Sequence, residues 1–427
     1  MEPKHVVVLG AGFGGLTFCQ TFRSPPARVT LVDRQNHHLF QPLLYQVATA
    51  GLSAPEIAQP IRSILSEKEN VTVLLDNVVD FNLAEKQVIL EKNRLKYDYL
   101  VLALGGVTSY FGHPEWEGVA PGLKSLDDAI LIRRHILLAF EKAETALNKT
   151  DHDRLMTIVV VGGGPTGVEL AGAFAELARY VLRHDFRRID PRHARVVLIE
   201  ASSRLLGQFP EDLAESAMQQ LKRLGVEVRT GTRVKNIRQG CVELENEVIC
   251  AENIVWAAGV SATPLTRKLG VELDRAGRVK VNADLSLPGH REVFAIGDMA
   301  HVLQKDGTQV PGISPAAMQM ARHVARMIED ELALGPGRAA RTDFEYRDKG
   351  TMATIGRSAA IAKIGGLQLT GFVAWVTWLF VHLIFLIGFR NKIAVLLQWA
   401  YSYFTYKRGA RIITGLSNNE RKHNGSS

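Results

Sequence analysis

Short apolar runs that end in glycine recur along the chain and predict its architecture. The first run, residues 6–9, is followed by Gly10, Gly12 and Gly15. This pattern predicts a buried parallel strand that turns at the glycines into a helix. Residues 28–33 then predict a second parallel strand, which ends in Asp33. Because an acid about 20 residues beyond the glycines can bind a ribose hydroxyl, the two segments together predict a dinucleotide-binding fold.

Each glycine of this first turn has a predicted task. Gly10 permits the tight turn, Gly12 leaves room for a diphosphate beside the backbone, and Gly15 lets the helix pack against the strand. The first N–H groups of the helix then face the phosphates. The alternative is a turn without a ligand, since glycine-rich turns between a strand and a helix also occur where no nucleotide binds.

The whole pattern begins again in the second third of the chain. Residues 158–161 form an apolar run, Gly162, Gly164 and Gly167 repeat the glycine spacing, and residues 195–200 repeat the strand that ends in an acid. Such an internal repeat predicts a second, complete dinucleotide site.

The acid of the second site indicates which nicotinamide cofactor binds there. Glu200 ends the predicted second strand, where a carboxylate pairs with a 2′-hydroxyl and repels a 2′-phosphate. The sequence therefore predicts NADH. Glu227 is a poor rival because it lies inside the next strand.

Later segments return the chain to the first site. Residues 293–298 predict a last parallel strand followed by Asp298, which is well placed to bind a polyol, although it could also cap the next segment. Residues 314–331 predict a helix whose N-terminus would offer N–H groups to an anionic ring. We therefore expect FAD in the first site and a diffusible nicotinamide in the second. Residues 71–75 and 88–90 predict a small antiparallel insertion.

The end of the chain is apolar and aromatic. Residues 372–389 contain His382 as the only ionisable group, and residues 393–404 continue the apolar pattern before Lys407, Arg408 and Arg411. Two helices lying in a membrane interface are favoured, with one spanning helix or a buried packing or dimer helix as alternatives. The aromatic residues suit an interfacial belt: Trp375, Trp378, Trp399, Tyr401, Tyr403 and Tyr406. Residues 415–427 are polar and expected to be disordered.

Composition narrows the partners and the location. The 427 residues are enough for two or three domains, and the net charge of +7 comes with basic residues beside the apolar end of the chain, which favours an anionic membrane over nucleic acid. The three cysteines, Cys19, Cys241 and Cys250, show neither metal-ligand spacing nor a disulfide framework, so we expect packing residues in a reducing compartment and no metal. The first strand follows the N-terminus at once, and no signal peptide is expected.

The route by which electrons leave the flavin follows from a missing motif. Disulfide reductases of this architecture carry paired cysteines near the flavin, whereas residues 37–51 contain none. Electrons would then pass directly to another acceptor. The apolar end of the chain points to an acceptor dissolved in the membrane, a quinone.

Several longer motifs resemble the type II (alternative, non-proton-pumping) NADH:quinone oxidoreductases, flavoproteins with two dinucleotide-binding domains. They are GAGFGG, FQPLLYQVATAGL, GGGPTGVELAG, IVWAAGV, AIGD and an ending of the type WLFVHL…GFRNK. The resemblance covers nearly the whole chain. It implies that Glu169 lies near nicotinamide, flavin and quinone and affects quinone access or proton delivery. A helix acid in the first turn, complementing the dipole, is the alternative for Glu169.

The resemblance also implies roles for residues beside the flavin. Gln46 would flank the isoalloxazine, and Ala317 and Met318 would present backbone N–H groups to it. The family often shows A-Q-x-A-x-Q where this chain has Pro315 in place of the first Gln and keeps the second, Gln319. A quinone contact of that first Gln cannot be made here. We assign Glu169, Gln46 and Gln319 to catalysis and the following residues to the cofactors: Gly10, Gly12, Phe13, Gly14, Gly15, Asp33, Arg34, Val78, Ala103, Gly105, Asp298, Ala317, Met318, Gly162, Gly164, Thr166, Gly167, Glu200 and Gly259.

The predicted fold is α/β, with two Rossmann-like dinucleotide-binding domains for FAD and NADH plus a C-terminal apolar helical segment that anchors the protein to a membrane. We expect an FAD domain in residues 1–112 and 269–345, an NADH domain in residues 113–268 and a membrane-associating region in residues 346–427. The predicted enzyme oxidises NADH and reduces a membrane quinone from the cytoplasmic face of a bacterial inner membrane. The alternatives are a flavoprotein reductase of another acceptor and a slow NADH-sensing FAD protein, and self-association is left open.

Overall fold

The computed structural model describes residues 3–24, 27–335, 338–405 and 408–414. The chain divides into two compact units. The first is drawn from Met1–Leu39, Ala58–Val107 and Val260–Lys349, and the second from Phe40–Ile57, Thr108–Gly259 and Gly350–Ser427.

A six-stranded sheet forms the centre of the first unit. His5–Leu9 lies between Arg28–Asp33 and Tyr99–Leu102 and is parallel to both. All residues of His5–Leu9 are buried, which explains the continuous apolar run in its sequence. Across the sheet the order is Ser286–Leu287, His290–Ala295, Tyr99–Leu102, His5–Leu9, Arg28–Asp33 and Val71–Leu75.

The edge of this sheet corrects one prediction. Val71–Leu75 pairs in parallel with Arg28–Asp33, so it does not belong to an antiparallel insertion. Its alternating burial is that of a half-exposed edge strand, and alternation does not distinguish the two pairings. The insertion is confirmed for residues 88–90, which lie in Gln87–Leu90 between Val78–Asn82 and Arg94–Lys96.

Helices and short strands complete the first unit. Phe13–Thr21 follows the first glycine turn and packs against Ser314–Leu334, which confirms the predicted helix and ends at Gly335 with a positive φ of 93°. The other elements are Ile61–Ile64, the 3₁₀ turns Pro264–Leu269 and Gly297–Met299, and the strand pairs His37–Leu39 with Ala58–Pro60 and Val279–Lys280 with Ala300–His301. Gly106–Thr108 and Val260–Ala262 are short strands where the chain passes between units.

The second unit contains the predicted repeat. Its parallel sheet has the order Glu227–Arg229, Arg195–Ile199, Thr157–Val161, Asn253–Trp256. An antiparallel sheet is formed by Asn236–Arg238, Cys241–Glu243 and Val248–Cys250. Val242 and Ile249 of this sheet point into a core that also contains Trp116 and Trp256. These strands also place Cys241 opposite Cys250, a pairing that their sequence spacing does not predict.

Helices of the second unit surround this sheet. Pro165–Glu176 follows the second glycine turn and continues into one π-helical turn, Leu177–Val181. Such turns are frequent at functional sites. The other helices are Leu44–Ala48, Ala54–Ile57, Leu126–Thr145, Lys149–Leu155 and Glu211–Arg223, with 3₁₀ turns at Gln41–Leu43, Pro114–Gly118 and Pro191–His193.

The chain from Gly350 onward, here called the C-terminal part, belongs to the second unit. Three antiparallel strands that sequence reasoning missed, Thr351–Gly356, Ala359–Ile364 and Leu367–Thr370, precede two helices. The first of them, Thr351–Gly356, packs so closely on Pro165–Glu176 that a Cβ on Gly172 would lie 1.6 Å from the Ile355 carbonyl oxygen. The two helices are Gly371–Phe385 and Phe389–Thr405.

Neither of these last helices crosses a bilayer by the usual criteria: within the described residues, we find no helix with the length and apolar character that a membrane span requires. The predicted disordered segment, residues 415–427, and Tyr406 and Lys407 lie outside the described residues. The predicted domain boundaries stay a prediction, and the compact units place residues 40–57 and the C-terminal part with the second sheet.

Candidate active site

The glycine turn of the first unit has the shape of a phosphate cradle. A Cβ on Gly10, whose φ is +96°, would lie 2.3 Å from the Ala103 carbonyl oxygen, and one on Gly15 would lie 1.8 Å from the Gly10 oxygen. Packing therefore requires these two glycines. A Cβ on Gly12 would meet nothing within 4 Å, so the space beside it is open. A diphosphate fits at this place, as the sequence predicts.

The turn of the second unit repeats this geometry. A Cβ on Gly162 would lie 2.7 Å from the Ala257 carbonyl carbon, and one on Gly167 would lie 1.8 Å from the Gly162 oxygen. A Cβ on Gly164 would again meet nothing within 4 Å. Corresponding glycines therefore play the same parts in both units: the first permits the turn, the second leaves open space, and the third allows close packing of the helix.

The helices that begin at these turns can receive anions. Their N-caps, Gly12 and Gly164, make no side-chain capping bond, and neither helix has an acid in its first turn. The first N–H groups and the positive end of each helix dipole are left to a ligand. Both turns therefore fit dinucleotide phosphates.

The acids that end the second strands hold the glycine turns. Asp33 Oδ2 accepts a hydrogen bond of 2.5 Å from the Ala11 N–H. In the other unit, Glu200 Oε2 accepts one of 2.5 Å from the Gly163 N–H, and Oε1 accepts one of 2.7 Å from Ser202. Glu227, the poor rival of Glu200, is held 2.7 Å from Arg195 in an ion pair.

Asp298, Ala317 and Met318 lie in the later segments of the first unit that are predicted to bind the flavin cofactor. Asp298 lies in the turn Gly297–Met299, whose N-cap is Ile296, so Asp298 does not cap it. The Ala317 N–H donates to the Ile313 carbonyl at 3.2 Å and is thus already used inside its helix. The contributions of Ala317 and Met318 to a flavin site stay a prediction.

The remaining predicted cofactor residues are spread over both units. Gly14 approaches the Ile296 side chain, and a Cβ on Gly259 would lie 2.6 Å from the Phe111 ring. The others are Phe13, Arg34, Val78 and Gly105 in the first unit and Thr166, exposed in the first turn of its helix, in the second.

Sequence reasoning missed a buried histidine at the first turn. His38 Nδ1 lies 2.9 Å from the Ala11 carbonyl oxygen, and the imidazole packs edge-on against the Phe13 ring. Burial lowers the pKa of His38, so the ring is neutral at physiological pH. In the sequence, only its position five residues after Asp33 indicates that His38 lies at this turn.

A cavity of about 120 Å³ lies within the second unit. Its walls are mainly aromatic and apolar, with a few polar groups between them. Three parts of the chain build it: Tyr45, Gln46 and Thr49 from one short helix and its end, Glu169, Ala173 and Glu176 from Pro165–Glu176, and Thr354, Trp375, Trp378, Trp399, Tyr403 and Arg408 from the C-terminal part.

Glu169 is the only predicted catalytic acid, and the structure places it in this cavity. It is the fifth residue of its helix and lies beyond the first turn, so the interpretation as a first-turn dipole acid is wrong. Burial raises the pKa of the Glu169 carboxyl to about 8, and a long hydrogen bond of 3.4 Å from the Thr354 N–H opposes this only weakly. At neutral pH Glu169 is a neutral acid that can donate its proton.

Gln46 lines the same cavity and is held from both ends of its amide. Its Nε2 donates to the Tyr45 hydroxyl and its Oε1 accepts from the Trp399 indole, each at 2.8 Å. Burial raises the pKa of Tyr45, and the carboxylate that Glu169 becomes at alkaline pH raises it further, so Tyr45 stays protonated. The structure thus brings the two predicted residues Glu169 and Gln46 together.

Trp378 of the C-terminal part is too deeply buried to belong to the predicted interfacial belt. Trp378 is 1% exposed, and Trp375 and Trp399 line the cavity with it. Among the described residues, no acceptor lies within hydrogen-bond reach of the buried Trp378 indole N–H. This donor lies at the cavity and is open to an acceptor on a ligand or on an ordered water.

Arg408 is likewise not a cation for lipid head groups. Its guanidinium lies 3.1 Å from Glu176 Oε2 and donates to the Thr49 carbonyl at 2.9 Å. Arg411 pairs with Asp185. Burial raises the pKa of Glu176, whereas the Arg408 charge opposes this shift. No signal in the sequence distinguishes these ion-paired arginines from membrane-facing ones.

Gln319 is not brought to the cavity. It lies in the first unit, where its amide donates to the Arg347 carbonyl at 2.9 Å and accepts from the Arg347 N–H at 3.0 Å. Both the NH₂ group and the oxygen of the Gln319 amide are therefore hydrogen-bonded to the backbone of Arg347. Its predicted catalytic role stays a prediction.

Comparisons with known proteins agree with this geometry. Residues 4–321 match the family described as Pyridine nucleotide-disulphide oxidoreductase, and residues 349–407 match the NDH2 C-terminal domain. Type II NADH:quinone oxidoreductase Ndh of Mycobacterium tuberculosis is 44% identical over 96% of this chain and 90% of its own length. The NdhA protein of the same organism is 40% identical over 96% and 89%.

A solved structure shows the same fold. NDH2 from Plasmodium falciparum in complex with NADH aligns with a TM-score of 0.88 at 21% identity, covering 96% of this chain and 99% of that one. The predicted α/β fold and the resemblance are confirmed. With both glycine cradles, the acid-ended strands and the matched C-terminal domain in place, the chain belongs to the type II NADH:quinone oxidoreductases.

Proposed function

We propose that this protein oxidises NADH through a bound FAD and passes two electrons to a membrane quinone without pumping protons. The observation that carries the proposal is the aromatic cavity around Glu169, a neutral acid at physiological pH, in a chain with two dinucleotide cradles. When bound, FAD supplies the hydride acceptor and the electron store. Binding, orientation and proton supply are the work of the protein.

The two units divide the cofactors between them. Residues around Gly12 and Asp33 hold the FAD diphosphate and ribose in the first unit, with Asp298 beside the polyol. Gly164 and the first turn of its helix hold the NADH diphosphate, and Glu200 selects the 2′-hydroxyl.

The quinone head group occupies the cavity in this proposal. Aromatic walls suit a flat, apolar ring, and two donors suit its oxygens: the Glu169 carboxyl and the Trp378 indole N–H. Reduction of a quinone takes up two protons. Glu169 holds one proton ready because its pKa lies above neutral.

We further propose that the C-terminal helices lie on the membrane surface. Their exposed side chains are mostly large and apolar, including Phe372, Phe380, Phe385, Phe389, Leu397 and Phe404. The helices have 15 and 17 residues, against about 20 for a span, and their opposite faces are buried against the unit. This arrangement would hold the cavity close to dissolved quinone, on the cytoplasmic face of a bacterial inner membrane.

Stopped-flow absorbance of the bound flavin tests the proposal. NADH should bleach the absorbance of the bound FAD, and a short-chain quinone should restore that absorbance on the timescale of one catalytic turnover. Glu169→Gln should slow the restoration and leave the bleaching unchanged, and in the unaltered protein restoration should slow above pH 8 as Glu169 loses its proton. Glu215→Gln, on the exposed face of another helix in the same unit, is the matched control.

Two results would contradict the proposal. Bleaching without restoration favours the slow sensor over the quinone reductase. Rapid restoration by a water-soluble acceptor alone favours a reductase of another acceptor.

A further inference from the structure

Cys241 and Cys250 face each other across two antiparallel strands. In the register of these strands Cys241 pairs with Cys250, Val242 with Ile249, and Glu243 with Val248. Backbone hydrogen bonds run from the Leu244 N–H to Glu247 and from the Ala251 N–H to Gly240. Because bonded and non-bonded pairs alternate along an antiparallel ladder, the cysteines form a non-hydrogen-bonded pair.

Side chains approach most closely at such a pair. Opposed Cα atoms at a non-hydrogen-bonded position are about 4.5 Å apart, which lies inside the range that a disulfide can bridge. Both thiols are free in the structure. The two strands therefore hold two reduced cysteines in position for a bond that has not formed.

The pair lies on the outer face of its sheet. Val242 and Ile249, the neighbours that alternate with the cysteines, point into the core, so the thiols point away from it. Cys250 is exposed and Cys241 is half-buried. Burial, and then the contact with Cys250, raises the pKa of Cys241. Cys250 is thus the more accessible thiol and Cys241 its nearby partner.

We propose that Cys241 and Cys250 form a reversible disulfide when the protein meets hydrogen peroxide. The Cys250 thiolate attacks one peroxide oxygen, the O–O bond breaks, and Cys250 becomes a sulfenic acid while hydroxide leaves and takes up a proton as water. The Cys241 thiolate then attacks the Cys250 sulfur, forms the S–S bond and releases the sulfenic oxygen as a second water. Two thiols lose two electrons and the peroxide gains them. An external dithiol reverses the reaction.

This site is separate from the proposed function. Neither cysteine belongs to a glycine cradle or to the cavity, so the inference holds whatever the electron acceptor is. The third cysteine supplies an internal comparison. Cys19 is fully buried, and burial raises the pKa of its thiol to about 12, so peroxide should not reach it in the folded protein.

The test uses the full-length, FAD-loaded protein, reduced and then exposed to hydrogen peroxide with catalase as the quench. Thiols titrated after denaturation should fall from three to one. Peptide mapping should show one intramolecular cross-link, between Cys241 and Cys250. A dithiol should restore the count to three.

Single substitutions separate the two steps. Cys241→Ser should stop the cross-link and leave a sulfenic acid at Cys250 that dimedone labels, whereas Cys250→Ser should leave Cys241 largely unmodified. Cys19→Ser is the matched control and should still form the cross-link. The proposal is overturned if the unaltered protein keeps three thiols, forms only disulfides between chains, or accumulates sulfenic acid at Cys250 although Cys241 is present.

Discussion

Glu200 and Gly163 are joined by a hydrogen bond of 2.5 Å from the glycine N–H to the carboxylate. The matching pair in the other unit, Asp33 and Ala11, has the same length and the same position in the turn. Each acid therefore orders the glycine turn that receives the phosphates before any nucleotide arrives. In the second unit, we propose that the same carboxylate also selects NADH over NADPH.

Substitutions at Glu200 should separate these two tasks. Glu200→Gln keeps an oxygen for the Gly163 N–H but removes the charge that repels a 2′-phosphate, so NADPH should be used better while the turn stays ordered. Glu200→Ala loses both, and kcat/KM for NADH should fall about tenfold to a hundredfold, the usual effect of losing a charged hydrogen bond. Steady-state kinetics with both cofactors checks this. Unchanged discrimination in Glu200→Gln would show that another group selects NADH.

Glu169 should make the protein less stable as the pH rises. The unfolded chain loses this proton near its ordinary pKa of 4.5, whereas the folded protein keeps it until about pH 8. Between these values the folded state binds more protons, so the free energy of unfolding falls with rising pH. Glu169→Gln removes this dependence and should raise the melting temperature at pH 8 but not at pH 4.5. Equal effects at both pH values would mean that the carboxyl titrates normally.

Trp378→Phe should weaken quinone binding specifically. The change keeps an aromatic ring but removes the unpartnered indole N–H, so KM for quinone should rise about threefold to tenfold, as expected for one neutral hydrogen bond. Flavin reduction by NADH should not change. Trp116→Phe is the control, because Trp116 is a buried indole of the same unit whose N–H donates to Asn236 outside the cavity. Equal quinone KM in both variants would argue against the Trp378 contact.

Charge on the exposed apolar face should release the protein from lipid. Phe380→Asp and Leu397→Asp change side chains that are 65% and 64% exposed, and co-sedimentation with anionic vesicles should be lost while turnover with a water-soluble short-chain quinone persists. Leu147→Asp, at a 94% exposed leucine elsewhere in the unit, should not affect binding. Vesicle binding that survives both helix substitutions would contradict surface attachment. Deleting residues beyond 372 is a poorer test, because it also removes cavity walls.

Local patterns predict much of the fold and both cradles. The continuous apolar strands, the glycine spacing and the acids Asp33 and Glu200 are short-range features, because each depends on residues close together in the chain. The family resemblance predicted the placement of Glu169 and Gln46. The structure adds the reason why Glu169 keeps its proton at neutral pH. That reason is burial, which no spacing reveals.

Features that depend on distant packing could not be predicted. Arg408 and Trp378 belong by composition to a membrane-facing segment, yet each is enclosed by residues far away in the chain. The strands Thr351–Gly356, Ala359–Ile364 and Leu367–Thr370 are short and partly polar, and they pack against helices that are distant in the chain, Pro165–Glu176 and Glu211–Arg223. The pairing of Cys241 with Cys250 depends on register, which separation in sequence does not specify.

The cavity walls come from both ends of the chain, from Tyr45 to Arg408. Residues up to Arg408 therefore have to leave the ribosome before this chamber can close, and until then Glu169 lacks the enclosed surroundings that keep it protonated. Oxidation of NADH by an unfinished chain could not be coupled to proton delivery at this place. The chamber is thus assembled late in synthesis, after both glycine turns have already been made.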